Sequence, residues 1–137
     1  MSTRCQMLIV DDDAPVAASL RRLFRRASFE TKVAYGGREA LRLLGEFEPD
    51  VVVTDQRMPD VSGAEVLAEV RRRFPRAVRV LVSGYAAAEA QLNALQQDQD
   101  CLFVAKPWDD ATLLREIRRR LQAVPPAGEE EARDSQE

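Results

Sequence analysis

Polar side chains of the types used in phosphoryl transfer follow four apolar stretches of this 137-residue chain. They come after the stretches MLIV, VVVT, VLV and FVA, and they are Asp11–Asp13, Asp55, Ser83 and Lys106. Each apolar stretch predicts a buried strand, so each polar group lies where a strand passes into a loop. Open α/β sheets bind ligands in the crevice at the carboxyl ends of their parallel strands. The set therefore predicts a site for a divalent cation and a phosphoryl group.

The three consecutive carboxylates predict a cation site. Two like charges ~4 Å apart repel by roughly 4 kcal/mol at an effective dielectric of about 20, so such a cluster is best neutralised by a cation. Oxygen ligands favour Mg²⁺ or Mn²⁺, and Ca²⁺ less so. Asp13 has a second interpretation as a helix cap, because an acidic residue before a helix accepts hydrogen bonds from its first N–H groups. Capping alone does not explain three acids together with Asp55 on another strand.

Asp55 and Lys106 are the candidates for the reaction itself. A carboxylate nucleophile forms an acyl phosphate, and a metal ion neutralises the incoming phosphoryl oxygens. Lys106 ends a buried strand, where an ammonium without an anion is costly. Asp55 and a phosphoryl oxygen would supply that anion. Ser83 remains open to a purely structural role as a hydroxyl at a strand end.

Five alternations of strand and helix position these residues. The first two predicted strands lie at about Met7–Asp11 and Thr31–Tyr35, and the other three at Val51–Asp55, Val78–Ser83 and Leu102–Ala105. The first predicted helix begins near Ala14 and the second follows Gly36-Gly37. The other three helices lie at about Ala64–Phe74, Ala87–Gln97 and Asp109–Ala123. This alternation with short loops predicts a parallel sheet with right-handed crossovers. The first and third strands are apolar throughout, as expected when helices cover both faces of the sheet.

Composition limits the class of protein. The hydrophobic fraction of 45% and the charged fraction of 31% are those of a soluble globular protein. A net charge of −3 does not suggest nucleic-acid binding. No apolar run approaches the ~20 residues of a membrane span, and the N-terminus lacks a signal-peptide pattern, so we expect a cytoplasmic location. Residues 1–124 are expected to form one domain, and 125–137 a disordered acidic tail or the start of a linker.

The chain contains no histidine and two cysteines, Cys5 and Cys101. The absence of histidine excludes a Ser-His-Asp triad, a Cys-His pair and a His-ligated zinc site. It also excludes a phosphohistidine in this chain, so any histidine in the phosphoryl chemistry belongs to another molecule. The cysteines lack metal-site spacing and are expected to be reduced structural thiols.

The span from Met7 to Ala123 resembles the receiver domain of bacterial two-component response regulators. The pieces that match in order and spacing are LIVDDD, VVVTDQRMPDVSG, VLVSGYA and FVAKPW. The resemblance implies a flavodoxin-like (βα)₅ fold, with a five-stranded parallel sheet of order 2-1-3-4-5 and helices on both faces. It implies a signalling domain rather than an enzyme, one that promotes only its own phosphorylation and dephosphorylation. A histidine kinase or phosphotransfer protein donates the phosphoryl group, and a conformational switch then controls an output domain or effector.

The resemblance also assigns the acidic residues. Asp55 is implied to be the phosphoacceptor. The implied cofactor is Mg²⁺, with Mn²⁺ as a substitute. Its implied protein ligands are Asp12 directly, Asp11 partly through water, Asp55, and the backbone carbonyl of Arg57.

Further roles around the phosphoryl group follow from the same resemblance. Ser83 and Lys106 are expected to contact it, and the Lys106-Pro107 bond is expected to be cis. Phe103 falls where the family carries its switch aromatic, a ring that turns inward when Ser83 moves toward the phosphoryl group. The alternative for Phe103 is a strand residue that packs on the fourth helix.

Arg57 and Tyr85 lie two residues beyond Asp55 and Ser83. In receivers these positions flank the phosphoryl group and affect the access of hydrolytic water. Because both side chains are large, we predict a long-lived acyl phosphate. The alternative is that both are exposed side chains without a kinetic effect.

Two other functions are alternatives to the receiver. Asp11 and Asp13 after an apolar strand also resemble the first motif of haloacid-dehalogenase-type phosphatases, with Ser83 and Lys106 as the second and third motifs. That interpretation leaves Asp55 without a role, and no strand-end acid pair follows Lys106. The other alternative is a receiver fold that docks partners without phosphorylation, which the complete site argues against. A homodimer is compatible with the resemblance, whereas no nucleic-acid or membrane partner is expected.

Overall fold

A computed structural model of the chain describes residues 4–84 and 101–123. Strands and helices alternate throughout these two segments. The strands are β1 (Gln6–Val10), β2 (Glu30–Ala34), β3 (Val51–Asp55), β4 (Val78–Ser83) and β5 (Cys101–Ala105). The helices are α1 (Ala14–Arg26), α2 (Gly37–Leu43), α3 (Gly63–Arg73) and a final helix at Asp110–Ala123.

The strands form one parallel sheet in the order β2-β1-β3-β4-β5. Val10 at the end of β1 pairs with Thr54, and Asp55 at the end of β3 pairs with Val82. The carboxyl ends of these three strands therefore lie side by side, and the crevice opens where the strand order reverses, between β1 and β3. The predicted fold class and strand order are confirmed.

Helices cover both faces of the sheet, so the central strands are buried. One face packs against α1 and the final helix through Ile9, Val53, Val80, Phe24 and Ile117. The other face packs against α2 and α3 through Leu8, Val52, Leu81, Leu44 and Leu67. Alternate residues of the central strands thus pack into different cores, one on each face of the sheet.

Several predicted strand limits were wrong by one residue. β1 runs from Gln6 to Val10 rather than from Met7 to Asp11, and just beyond its end the Asp11 carboxylate accepts a hydrogen bond from the Asp13 N–H at 2.9 Å. β2 runs from Glu30 to Ala34, which leaves Tyr35 outside it and 53% exposed. β5 begins one residue earlier than predicted, at Cys101, because that residue extends the pairing with β4.

The helix starts were also displaced, and side-chain caps explain two of them. α3 begins at Gly63 rather than at Ala64, with Ser62 accepting a hydrogen bond from the Glu65 N–H at 3.2 Å. The final helix begins after Asp109, whose carboxylate accepts a hydrogen bond from the Thr112 N–H at 2.9 Å. In both cases the capping residue stands just outside the helix that it stabilises.

Three predictions fall outside the described residues: the helix at Ala87–Gln97, the position of Tyr85, and the tail at 125–137. In the described segments, no helix combines the length and apolar character that a membrane span requires. Cys5 and Cys101 carry free thiols, as predicted.

Candidate functional site

Three carboxylates and one ammonium converge at the carboxyl edge of the sheet. Asp11, Asp12 and Asp55 each place one oxygen within 4.8 Å of the others. Lys106 Nζ lies 3.1 Å from Asp55 Oδ1 and 3.9 Å from Asp11 Oδ2. Three negative groups and one positive group leave a formal charge of −2. A divalent cation would balance that charge.

Asp11 is the most buried member of the cluster, with 2% of its surface exposed. Burial raises the pKa of Asp11 to about 6, and the Asp55 and Asp12 carboxylates add to the rise, whereas the Asp13 N–H and the Lys106 ammonium oppose it. Its charged form is therefore poorly solvated and gains most from a bound cation. Asp12, one residue further on, is exposed.

Asp55 is held by the end of β3 and by the start of α3. Its backbone carbonyl accepts a hydrogen bond from the Thr54 hydroxyl at 2.9 Å. Gly63, the first residue of α3, lies so close that a Cβ there would overlap the Asp55 carbonyl oxygen. The side chain of Asp55 is only 12% exposed, so its carboxylate points into the crevice from a rigid support.

Gln56 closes the loop that follows Asp55. It is buried, and its N–H donates to the Val82 carbonyl at 3.1 Å. Its backbone carbonyl accepts from the Gly63 N–H at 3.0 Å, and its side-chain Oε1 accepts from the Ala64 N–H at 2.9 Å. These hydrogen bonds close loop 56–62, because they join its first residue to the start of α3.

Lys106 extends from the end of β5 across the neighbouring strand end. Its N–H donates to the Ser83 carbonyl at 3.0 Å, and a Cβ on Gly84 would touch its side chain at 3.4 Å. The Lys106-Pro107 peptide bond is cis, as predicted. Ser83 itself is half-buried at the end of β4, opposite Ala105. The ends of β3, β4 and β5 thus bring Asp55, Ser83 and Lys106 to one edge.

The remaining predicted residues surround this cluster. Asp13 caps α1, since its carboxylate accepts from the Val16 N–H at 3.4 Å, which confirms the capping interpretation. Arg57 is exposed on loop 56–62. Phe103 is half-buried and packs against the core on the α2–α3 face.

Two residues of the loop were missed by sequence reasoning, Gln56 and Asp60. The signal for Gln56 was available, because it directly follows an apolar strand. Asp60 stands in the segment MPDVSG, where an acid is typical of a solvent-exposed turn. Asp60 is exposed, as such a position predicts, but its carboxylate also accepts hydrogen bonds from the N–H groups of Gly37, Arg38 and Val61.

Known proteins share this sequence pattern. The model of a family described as "Response regulator receiver domain" matches residues 7–118, which include every residue of the cluster. Regulatory protein AtoC of Escherichia coli is 38% identical over 117 residues, which make up 85% of this chain and 25% of AtoC. Hydrogenase transcriptional regulatory protein HoxA of Cupriavidus necator is 32% identical over 117 residues, or 85% and 24% of the two chains. The chain spans about a quarter of the length of these relatives.

Solved structures share the fold. The response regulator protein TrrA from Thermotoga maritima, solved in complex with Mg²⁺-BeF, matches with a TM-score of 0.74 and 26% sequence identity. The match covers 85% of this chain and 98% of TrrA. The likeness therefore spans nearly all of TrrA.

Proposed function

The chain belongs to the response regulator receiver domains, the phosphoacceptor signalling domains of two-component systems, and we propose that Asp55 is its phosphoacceptor. The observation that carries this proposal is the contact of 3.1 Å between Lys106 Nζ and Asp55 Oδ1, beside the carboxylates of Asp11 and Asp12. It joins a nucleophile to a cation that can meet the incoming phosphoryl oxygens. The proposed donor is a partner histidine kinase or phosphotransfer protein.

In the proposed reaction one Asp55 oxygen attacks the phosphorus of a phosphohistidine on the partner. A P–O bond forms while the P–N bond breaks, and the imidazole nitrogen keeps the electron pair and takes a proton from solvent. The chain has no histidine of its own, so the leaving group must lie on the other molecule. Phosphoryl transfer depends mainly on positioning and charge neutralisation. The contacts of Asp55 with β3 and α3 position the carboxylate, and Lys106 contributes to charge neutralisation.

We propose that Mg²⁺, or Mn²⁺ in its place, is held by Asp11, Asp12, Asp55 and the backbone carbonyl of Arg57. Close carboxylates, a formal charge of −2 and a buried acid with a raised pKa fit a hard divalent cation. When bound, such an ion neutralises phosphoryl oxygens and orients them for in-line attack. TrrA, at 26% identity, was solved with Mg²⁺-BeF, which supports the same choice of metal here.

We further propose that phosphorylation is read through Ser83, Lys106 and Phe103. A phosphoryl group adds about −2 of charge at Asp55, and it gains contacts to the ammonium and the hydroxyl. Phe103 is half-buried and packs against the core on the α2–α3 face, and in this proposal its ring follows a movement of Ser83. To turn a mostly inactive population into a mostly active one, these contacts must favour the active state by roughly 5.5 kcal/mol.

The proposed output is an attached domain or a separate effector. AtoC and HoxA are named as regulatory proteins and are about four times as long as the matched segment. In this proposal residues 1–124 form the receiver and residues 125–137 begin a linker or tail. We place the protein in the cytoplasm, in keeping with the free thiols of Cys5 and Cys101.

Intact-mass measurement after incubation with Mg²⁺ and acetyl phosphate tests the proposal. The wild-type protein should gain the mass of one phosphoryl group, and Asp55→Asn should gain none. Asp50→Asn is the matched control, because Asp50 is an exposed carboxylate at the other end of β3, where it accepts a hydrogen bond from the Gln6 N–H at 2.8 Å. Equal phosphorylation of wild type and Asp55→Asn would overturn the assignment.

The same proteins separate the two alternatives. A haloacid-dehalogenase-type phosphatase would turn over p-nitrophenyl phosphate continuously and would depend on Asp11, whereas a receiver should not. For a docking module, addition of Mg²⁺ and beryllofluoride would leave the fluorescence of Trp108 unchanged, or would change it equally in Asp55→Asn. Trp108 suits this measurement because it is the single tryptophan and adjoins Lys106-Pro107.

A further inference from the structure

The first N–H groups of α2 are capped by a residue of a different loop. Asp60 Oδ1 accepts from the Gly37 N–H at 3.1 Å, and Asp60 Oδ2 accepts from the Arg38 N–H at 3.0 Å. Gly36, which precedes the helix, offers no side chain for this purpose. Asp60 Oδ1 also accepts from the Val61 N–H at 2.7 Å. One carboxylate therefore joins the β2–α2 turn to loop 56–62.

The same two segments are also in close backbone contact. A Cβ at Gly37 would lie 2.5 Å from the Val61 carbonyl oxygen and 2.6 Å from Val61 Cβ. A Cβ at Gly36 would lie 3.2 Å from Asp60 Oδ2. None of the described glycines has a positive φ, so glycine is needed here for space rather than for backbone conformation.

Hydrogen bonds already join the two ends of loop 56–62, and Asp60 adds a further point of attachment. Gln56 accepts hydrogen bonds from the Gly63 and Ala64 N–H groups and so closes the base of the loop. Asp60 then joins the middle of the loop to the start of α2 through its hydrogen bonds. Arg57 lies between these two points of attachment. Its backbone carbonyl can therefore shift little unless the Asp60 contacts break.

We propose that Asp60 is a positioning residue for the metal site, which holds the Arg57 carbonyl where it completes the ligands of Mg²⁺. This inference rests on the proposed function, because it requires Mg²⁺ to bind at Asp11, Asp12 and Asp55. Asp60 touches neither the metal nor the phosphoryl group; it acts through the loop.

The protonation of Asp60 suits this role. The Arg38 and Val61 N–H groups lower the pKa of the Asp60 carboxyl below its usual value. The carboxylate therefore stays ionised to a lower pH than an ordinary aspartate, and it keeps both oxygens as acceptors. Loss of an outer partner of a metal ligand typically weakens metal binding by roughly 10- to 100-fold.

Calorimetric titration of the full chain with MgCl₂ tests the proposal. Asp60→Ala removes the carboxylate, whereas Gly37→Ala keeps it but forces Val61 and the rest of loop 56–62, Asp60 included, away from the start of α2. Each should raise the Mg²⁺ dissociation constant by about tenfold, the lower end of the effect seen for outer partners of metal ligands. Asp60→Asn keeps one acceptor oxygen and should recover part of the loss, which a role in folding alone would not predict for metal affinity.

Two matched variants control for general loss of stability. Asp109→Ala removes a carboxylate cap from the final helix, where Asp109 accepts from the Thr112 N–H. Gly45→Ala adds a methyl group just past the other end of α2, where a Cβ would lie 3.3 Å from the Arg42 carbonyl oxygen. Both variants should bind Mg²⁺ with wild-type affinity.

The possible outcomes distinguish the two proposals. A wild-type protein that neither binds Mg²⁺ nor becomes phosphorylated overturns the proposed function. A wild-type protein that does both, with unchanged affinity in Asp60→Ala and Gly37→Ala, overturns only the role of Asp60. An equal loss of affinity in Asp109→Ala also overturns it, because that variant does not touch the loop. If Asp60→Ala does not fold, the near-isosteric Asp60→Asn decides: wild-type affinity in that variant overturns the role.

Discussion

Lys106 Nζ lies 3.1 Å from Asp55 Oδ1, so the proposed phosphoacceptor already has a cationic partner before any phosphoryl group arrives. The side chains of the two residues are 27% and 12% exposed, which separates this pair from surface salt bridges that contribute little. Removing one member of such a pair leaves the other charge uncompensated. In the proposed reaction the ammonium therefore acts twice, first to neutralise the Asp55 carboxylate and then to contact the phosphoryl oxygens.

Lys106→Met should leave the carboxylates of Asp55 and Asp11 without their ammonium. In the absence of Mg²⁺ we expect the free energy of unfolding to fall by about 2 kcal/mol, as for loss of a hydrogen bond to a charged group. Phosphorylation by acetyl phosphate should slow strongly. Urea unfolding in EDTA and intact-mass time courses measure the two effects. Lys32→Met is the control, since Lys32 lies on β2 over the Phe47 ring; wild-type phosphorylation in Lys106→Met would contradict the prediction.

Asp11 should make the metal-free protein less stable as the pH rises from about 4 to about 6. Its pKa in the folded state, about 6, lies above that in the unfolded chain, so the folded state keeps the proton longer. The free energy of unfolding therefore falls across this window and stays low above it. A shift of about two pKa units corresponds to roughly 3 kcal/mol. Asp11→Asn should abolish this slope, as measured by urea unfolding in EDTA across the window.

Asp60 and Asp109, two other carboxylates with shifted pKa values, should not hide that slope. Hydrogen bonds from Arg38 to Asp60 and from Thr112 to Asp109 lower the pKa of each acid. The stability that these acids add is complete above their unfolded pKa and is lost only as the pH falls through the lowered folded pKa. Their effect therefore lies below about pH 4 and has the opposite sign. A slope between about pH 4 and pH 6 that persists in Asp11→Asn would contradict the assignment to Asp11.

Arg57→Ala and Tyr85→Ala should each speed the loss of the acyl phosphate. Arg57 is exposed on the loop two residues after Asp55, where a large side chain can restrict the approach of water. We expect up to about tenfold faster hydrolysis, equivalent to ~1.4 kcal/mol in the barrier. The measurement follows the phosphoprotein by mass after the donor is removed. Arg21→Ala, which changes an exposed arginine on α1, should decay at the wild-type rate, and rates no faster than wild type in the first two variants would contradict the prediction.

Gly63→Ala should displace the backbone of Asp55, the proposed phosphoacceptor. The added Cβ would overlap the Asp55 carbonyl oxygen and lie 2.9 Å from Leu81 Cδ1, so the start of α3 has to move away from β3. Overpacking of this kind costs about 1–3 kcal/mol, and we expect slower phosphorylation in the fraction that folds. Urea unfolding and mass time courses test both expectations against Gly45→Ala. Wild-type stability in Gly63→Ala would contradict the close contact.

Strand limits were predictable where an apolar run ends at a polar residue that stays in the sheet. β3 and β4 were predicted to the residue, because Asp55 and Ser83 still pair across the sheet. The end of β1 was not predicted to the residue, although the Asp11 N–H still donates to the Ala34 carbonyl at 3.1 Å. The Asp11 carboxylate accepts a hydrogen bond from the Asp13 N–H, and the run of three acids in the sequence does not show which of them makes this contact.

The sequence also did not predict the different burial of the acidic residues. Asp11 and Asp12 are chemically equivalent in the sequence, and only the direction of the chain beyond β1 buries the first and exposes the second. The proposed role of Asp60 depends on contacts with residues 22 and 23 positions earlier, which exist only once α2 and α3 pack together. Local patterns predict caps within a few residues, but they carry no information on a cap supplied from another loop.

The Asp60 cap also has an evolutionary consequence. Positions 37 and 60 are 23 residues apart, yet neither can change freely while the other stays the same. A larger residue at position 37 needs a displaced loop, and loss of the acid at position 60 leaves the start of α2 without its acceptor. Among relatives we therefore expect the two positions to covary. A chimera that takes loop 56–62 from another receiver should take the β2–α2 turn from the same parent.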